Sequence, residues 1–211
     1  MAFTLPPTLT DSLAAVNVLL SSIGESPVSS IEGDISEATE AASALNLLTE
    51  VSLAVQSQGW PWNRDYEMVL RPDVTSRIAL PDNCLRITKA YPGCHSGSLI
   101  ERSQAGVRYL YDNRNHSFMF TDAVIVDIIS KFAFEDIPEA GRRYITIRAA
   151  KQYQGRIQTN LSVDRILEGE VILALRTLEE ERDEAEPANQ ITGNVQTMLS
   201  THGRGVRRRN Q

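Results

Sequence analysis

Gly59-Trp60-Pro61-Trp62-Asn63 marks the place where the hydrophobic pattern of this chain changes period. Before it, apolar residues recur at steps of three and four, the spacing of one helix face. After it come short runs that often alternate, the spacing of half-buried strands. Gly59 ends the helical run, and Pro61 cannot continue it. Trp60 and Trp62 fall on one side of the segment if it is extended. An indole buries a large area, so the plainer reading makes the pair a core plug between a helix and the strands. The sharper reading makes it an aromatic anchor at a subunit contact, where tryptophan often carries binding energy. The core reading is the heavier of the two.

Toward the amino terminus the pattern is helical. Residues 34–58 form one long expected helix of roughly 35 Å at about 1.5 Å per residue, with Asp34 and Glu37 as a capping box. Its stripe is Ala38, Ala41, Ala42, Leu45, Leu48, Ser52 and Val55. The small residues Ala38, Ala41, Ala42 and Ser43 would let another helix approach closely. A shorter helix precedes it, with Thr10 or Asp11 as cap and Leu13, Val16, Asn17 and Leu20 at helical spacing. Gly24 sits where a left-handed C-cap belongs, and residues 25–33 read as a connector broken by Pro27 and Gly33.

Toward the carboxyl terminus seven short segments are expected as strands: 66–70, 77–80, 85–90, 98–101, 107–111, 117–120 and 123–130. Turn residues separate them, among them Pro72, Pro81-Asp82-Asn83, Pro92-Gly93, Gly106 and Asp112-Asn113-Arg114-Asn115. Residues 124–129 are the most β-branched and should form a central strand. Helix returns after Glu135, with Asp136 as cap and Pro138 in the first turn. Tyr144, Ile147, Arg148, Lys151 and Gln154 would share one side of it. A fourth helix starts near Ser162 and stops before Pro187. Its carboxylates, Glu168 to Glu186, give it a strongly acidic outer face.

The expected fold class is therefore α+β: mainly an α-helical bundle from the N- and C-terminal helices, with a small antiparallel β insertion and a flexible C-terminal tail. The boundaries are residues 1–63 with 135–186 for a discontinuous helical bundle domain, 64–134 for a β-rich insertion domain, and 187–211 for a flexible basic tail.

Composition bounds the function. The 211 residues are 42% hydrophobic and 23% charged, ordinary for a soluble globular chain. No apolar run is long enough to span a bilayer, and residues 1–7 lack the charge and apolar stretch of a secretory signal. The chain is expected in a cytoplasm, with its two cysteines, Cys84 and Cys94, as reduced thiols. The net charge of −6 is uneven: four tail arginines carry +4, which leaves −10 on residues 1–186. An acidic body repels nucleic acid while a basic tail attracts anionic surfaces.

Chemical motifs are weak. Cys84, Cys94, His95 and His116 lack the close pairing of tetrahedral zinc ligands, so no metal and no cofactor is expected. The acidic helix face could hide a glycosidase pair, but a carboxylate run on an exposed helix is usually a solvated face. Gly-x-Ser-x-Gly and Walker-type loops are absent, and His95, His116 and His202 have no supporting context. No catalytic residue is expected. Arg204, Arg207, Arg208 and Arg209 have three readings: DNA phosphate contact, docking into an acidic crevice of a partner or neighbour, or solubilisation of a loose end. The first two are favoured over the third.

Several ordered pieces carry a family resemblance. They are Ala15-Val16-Asn17-Val18-Leu19, Ile23-Gly24-Glu25-Ser26-Pro27-Val28, Gln56-Ser57-Gln58-Gly59-Trp60, Leu70-Arg71-Pro72-Asp73, Ile78-Ala79-Leu80-Pro81, Arg108-Tyr109-Leu110-Tyr111-Asp112 and Phe134-Glu135-Asp136-Ile137-Pro138-Glu139. Together they resemble tail tubular protein A, the head-to-tail adaptor of autographivirus-type podoviruses, over nearly the whole chain to about residue 158. The resemblance implies a non-enzymatic virion protein at the head–tail junction. It implies a dodecameric ring under the portal protein, with the tail nozzle protein (tail tubular protein B) below. Double-stranded DNA would pass through the channel, and no membrane is involved. Trp60, Trp62 and the four tail arginines are the expected subunit or portal contacts. Two other classes stay open: a sequence-independent DNA-binding module using the basic tail, and a tail-associated polysaccharide hydrolase using the acidic cluster.

Overall fold

The computed structural model describes residues 10–31, 39–89, 98–157 and 160–185. Among the described residues four helices and five strands follow the expected order, and the fold class is α+β. Helix α1 spans Ser12–Ser22, and Asp11 caps it by accepting from Ala14 N at 2.7 Å. Glu25 N closes the other end onto Leu20 O at 3.0 Å, with Gly24 at φ +83°. That is the left-handed helix stop expected at this glycine.

Helix α2 spans Thr39–Gln56 and ends two residues before the expected Gln58. The expected capping pair Asp34 and Glu37 lies outside the described residues. Its buried arc differs from the expected stripe. Ala44, Leu47 and Val51 are in the core, while Ala42 and Leu45 are half-buried. The helix packs on two neighbours, α1 and a later helix, so its buried arc is wider than one stripe.

Strand β1, Arg64–Leu70, β2, Cys84–Lys89, and β5, Val124–Ser130, form an antiparallel sheet in the order β1-β5-β2. The β-branched segment is thus the central strand, as its composition implies. Val124, Val126 and Ile128 point into a small core with Ile78, Leu80, Cys84, Leu110 and Phe120. Strands β3, Leu99–Gln104, and β4, Val107–Asp112, make a separate hairpin. Its two-residue turn has Ala105 at φ +52° and Gly106 at φ +80°, both in the left-handed region.

Two expected strands are not strands. Residues 77–80 contribute an isolated bridge, Ala79 to Tyr109, and residues 117–120 another, Asp112 to Ser117. Aspartates override the strand propensity at both places. Asp73 accepts from Thr75 N at 2.7 Å and Arg77 N at 3.1 Å. Asp112 accepts from Arg114 N at 2.9 Å and Asn115 N at 3.2 Å. These short side chains turn the backbone before a ladder can start.

Helix α3, Glu139–Ile157, is the hub, with α1, α2 and α4, Leu161–Ala185, packed around it. It begins after Pro138; Asp136 is not its cap but lies in a separate 3-10 turn, Phe134–Asp136. Its expected face is partly corrected. Tyr144 and Gln154 are buried, but Ile147, Arg148 and Lys151 are only half-buried, and Ala149, Ala150 and Tyr153 fill the core instead. Asn160 caps α4, accepting from Ser162 N at 3.1 Å. Leu167, Ala174 and Leu178 are the inward residues of α4.

Arg142, 5% exposed, ties the start of the chain to α3. It donates to Thr10 O at 2.9 Å, while Thr10 N donates to Glu139 Oε2 at 3.0 Å. Ser12 Oγ donates to Glu135, which holds that carboxyl below its ordinary 4.5. A depressed carboxylate stabilises the native state above its unfolded pKa and loses that contribution as pH falls through the lowered value. Ser12→Ala is therefore expected to flatten the acid limb of the stability curve below pH 4.5, as followed by circular dichroism.

Candidate assembly surfaces

The stretch where the pattern changes period is a structural knot. Gly59 adopts φ +82°, and a Cβ there would stand 2.4 Å from Ile129 Cδ1 and 2.9 Å from Arg64 Nη2. This close approach seats the end of α2 on the central strand. Gly59→Ala carries a left-handed strain of about 1–2 kcal/mol and an overpacking cost of about 1–3 kcal/mol. It is expected to lower the melting temperature clearly in a thermal scan.

Asn63, 1% exposed, wires the knot together. Its Nδ2 donates to Gln56 O at 2.9 Å and to Ser130 O at 3.0 Å, and its Oδ1 accepts from Trp60 N at 2.8 Å. Gln56, equally buried, donates to Phe132 O at 3.2 Å and accepts from Phe132 N at 2.7 Å. The end of α2, the end of β5 and the approach to α3 are thus one hydrogen-bonded unit.

Trp60 is 4% exposed and donates from Nε1 to Val55 O at 3.0 Å. Trp62 is half-buried, tilted against Phe132 at 6.4 Å between ring centres. Its Nε1 is buried with no hydrogen-bond partner among the described residues. Both tryptophans line an open cleft of about 310 Å³ together with Pro61, Pro138, Leu178, Glu181, Arg182 and Ala185. The Arg182 guanidinium stands 5.9 Å from the Trp60 ring centre. The four tail arginines, Arg204, Arg207, Arg208 and Arg209, lie outside the described residues.

Helix α4 has a second apolar face that the sequence reading missed. Ile166 is 63% exposed and Leu173 62%, while Leu161, at 70%, and Ile172, at 46%, stand about a third of a turn away from them. Ile166 and Leu173 are seven residues apart, on a flank away from Leu167, Ala174 and Leu178. Gly169 lies between them with nothing near its Cβ position. The helix carries eight carboxylates against three arginines. One of them, Glu168, pairs with Lys151 of α3, and this pairing raises the lysine's pKa. A helix that is apolar on two sides and acidic between them has surface to bury against something else. The signal was available in the spacing of Ile166 and Leu173, but it does not tell which stripe faces inward.

The β side presents a different surface. Strand β1 is exposed through Tyr66, Met68 and Val69, at 48, 41 and 51%. A bulge between Asp65 and Met68 kinks this edge, with Glu67 at φ +53°. Glu67 N donates to Asp127 Oδ1 at 3.0 Å, so a carboxylate in the middle of β5 holds the bulge.

Among the described residues, those weighed for chemistry do not converge. Cys84 is 1% exposed, and burial pushes its thiol above its ordinary value, which leaves it a packing residue. Cys94, His95 and His202 lie outside the described residues. Among the described residues no group of three or more His, Cys, Asp and Glu is placed to hold a metal ion. No described helix is long and apolar enough to cross a membrane. The family model described as "Tube: Tail tubular protein" matches residues 13–198. No curated protein matches the chain.

Proposed function

The chain belongs to the tail tubular protein family and is a structural component of a phage tail; on that premise we propose that it is the head-to-tail connector of a short-tailed bacteriophage. Copies of it form a closed ring between the portal and the tail nozzle, and DNA passes through the ring during ejection. The observation that carries this reading is the outward apolar pair of α4, Ile166 and Leu173, which share one flank of a helix already packed on its inner side. A head-to-tail ring needs such a patch on every copy, and repetition turns a modest contact into a strong assembly.

In this reading the helical residues 1–63 and 135–186 pack against neighbouring copies and the portal. The β-rich residues 64–134 meet the nozzle, with exposed Tyr66, Met68 and Val69 as the contact face. Trp60 and Trp62 serve the subunit and portal contacts indirectly, by fixing the junction on which the helices sit. The acidic body suits a channel wall that repels DNA and so lets it slide. The basic tail 187–211 carries Arg204, Arg207, Arg208 and Arg209 to an acidic crevice of the portal or to DNA.

Electron microscopy and native mass spectrometry of the chain, alone and mixed with its portal, test the proposal. A closed ring stacked on the portal is expected; a chain that stays monomeric with portal present contradicts it. Deleting residues 203–211 is expected to weaken portal or DNA binding, measured across a salt series. Unchanged binding to both removes the tail from the assembly.

A further inference from the structure

We propose that the tryptophan cleft at the end of α4 is the seat of this chain's own residues 187–198. Four observations support this occupant. Most of the cleft is aromatic, prolyl or aliphatic, from Trp60, Pro61, Trp62, Pro138, Leu178 and Ala185, with Glu181 and Arg182 completing the lining. Such surfaces receive an extended peptide through its side chains and backbone carbonyls.

The chain also leaves α4 at the rim. Ala185, the last residue of the helix, itself lines the cleft. Pro187 follows, and proline has no N–H with which to extend the helical ladder. At about 3.3–3.6 Å per extended residue, a few residues reach any part of the cleft. A short tether gives the segment an effective concentration on the order of millimolar, so weak contacts suffice.

Composition matches the site as well. Residues 187–198 carry no charged side chain and include three larger apolar ones, Ile191, Val195 and Met198. Methionine sulfur against an indole is a favourable contact. The basic residues 203–211 contain four arginines and only Val206 as an apolar side chain, so they do not suit it. The family match divides the chain at the same place: it runs on past α4 to residue 198 and stops before the arginines.

The inference does not rest on the ring reading, and its readout is built in. Trp60 and Trp62 are the only tryptophans in the chain, and both line the cleft. Acrylamide quenching and emission wavelength therefore report its occupancy, mostly through half-buried Trp62. In the full chain, Ile191→Asp with Val195→Asp is expected to shift emission to the red and to lose protection from quenching. A chain ending at residue 198 should keep the full protection, and one ending at residue 186 should lose it. Peptide 187–198 added to that shorter chain should restore protection, with circular dichroism confirming that both variants are folded. Unchanged quenching in the double aspartate variant and in the chain ending at 186 overturns the proposal. Protection that appears only as protein concentration rises also overturns it, because the occupant is then a neighbouring copy. Native mass spectrometry of the same samples follows assembly separately, so loss of the ring and loss of the docked segment are told apart.

Discussion

Ile166→Asp combined with Leu173→Asp is expected to abolish ring assembly and leave the subunit folded. Both side chains are more than 60% exposed, so the lone subunit loses almost no packing. Surface changes of this kind usually alter stability by less than about 0.5 kcal/mol. At a subunit seam the account is different. Each side chain would contribute about 1.5–3 kcal/mol if fully buried, and each aspartate adds a charge that must be desolvated beside carboxylates already present on α4. Every seam of a ring carries the same defect, so the losses multiply around the circle. Sedimentation velocity should find a monomer where the parent chain assembles on its portal. Assembly that survives the double substitution would move the seam away from α4.

Asn63→Ala is expected to cost the fold on the order of 3–5 kcal/mol, since an orphaned buried polar group costs about 1–3 kcal/mol. The substitution removes three buried hydrogen bonds at once, those to Gln56 O and Ser130 O and the one from Trp60 N; Gln56 O keeps Gly59 N at 3.1 Å, while Trp60 N loses its acceptor. Asn63 is 1% exposed, so water has little room to replace it. Asn63→Asp keeps the acceptor for Trp60 N but loses both donors and buries a charge, and it should be no better. Urea unfolding monitored by tryptophan emission measures both variants. A loss below about 1 kcal/mol would mean that the junction of α2, β5 and α3 is held by apolar packing alone.

The sequence made some of this architecture legible, for identifiable reasons. Val124 to Ile129 are almost all β-branched, and only a strand covered on both faces accommodates that run; it is the central strand of the sheet. Asp11, Gly24 and Gly106 are local signals whose meaning does not depend on distant residues, and each has the expected role. Periodicity failed where the environment decides. Ile166 and Leu167 are neighbours of nearly equal hydrophobicity, yet one is 63% exposed and the other 8%. Only the position of α3 makes that choice. Residues 77–80 and 117–120 have strand-like composition, but Asp73 and Asp112 bend the chain through hydrogen bonds that no alternation pattern records. The tryptophans were conspicuous as large side chains, whereas Asn63, which holds them, looks like any loop asparagine until its three partners are seen.

The β side of the molecule follows the same logic. A strand edge with Tyr66, Met68 and Val69 exposed invites pairing, and the bulge held by Asp127 bends it away from a straight ladder. Asp127→Ala removes the acceptor for Glu67 N and should relax that bulge. It is expected to loosen the β side while leaving the helical core intact, because the two apolar clusters share no buried residue. Amide exchange of β1 against that of α3 measures the difference.

The most direct test is a reconstruction, by electron microscopy, of the tail complex from virions that carry this chain. The account predicts a closed ring of copies coaxial with the portal, with Ile166 and Leu173 of each copy covered by its neighbour and the β-rich part turned toward the nozzle. A tail in which this chain is absent from the junction, or present there as isolated copies with α4 facing solvent, would contradict it.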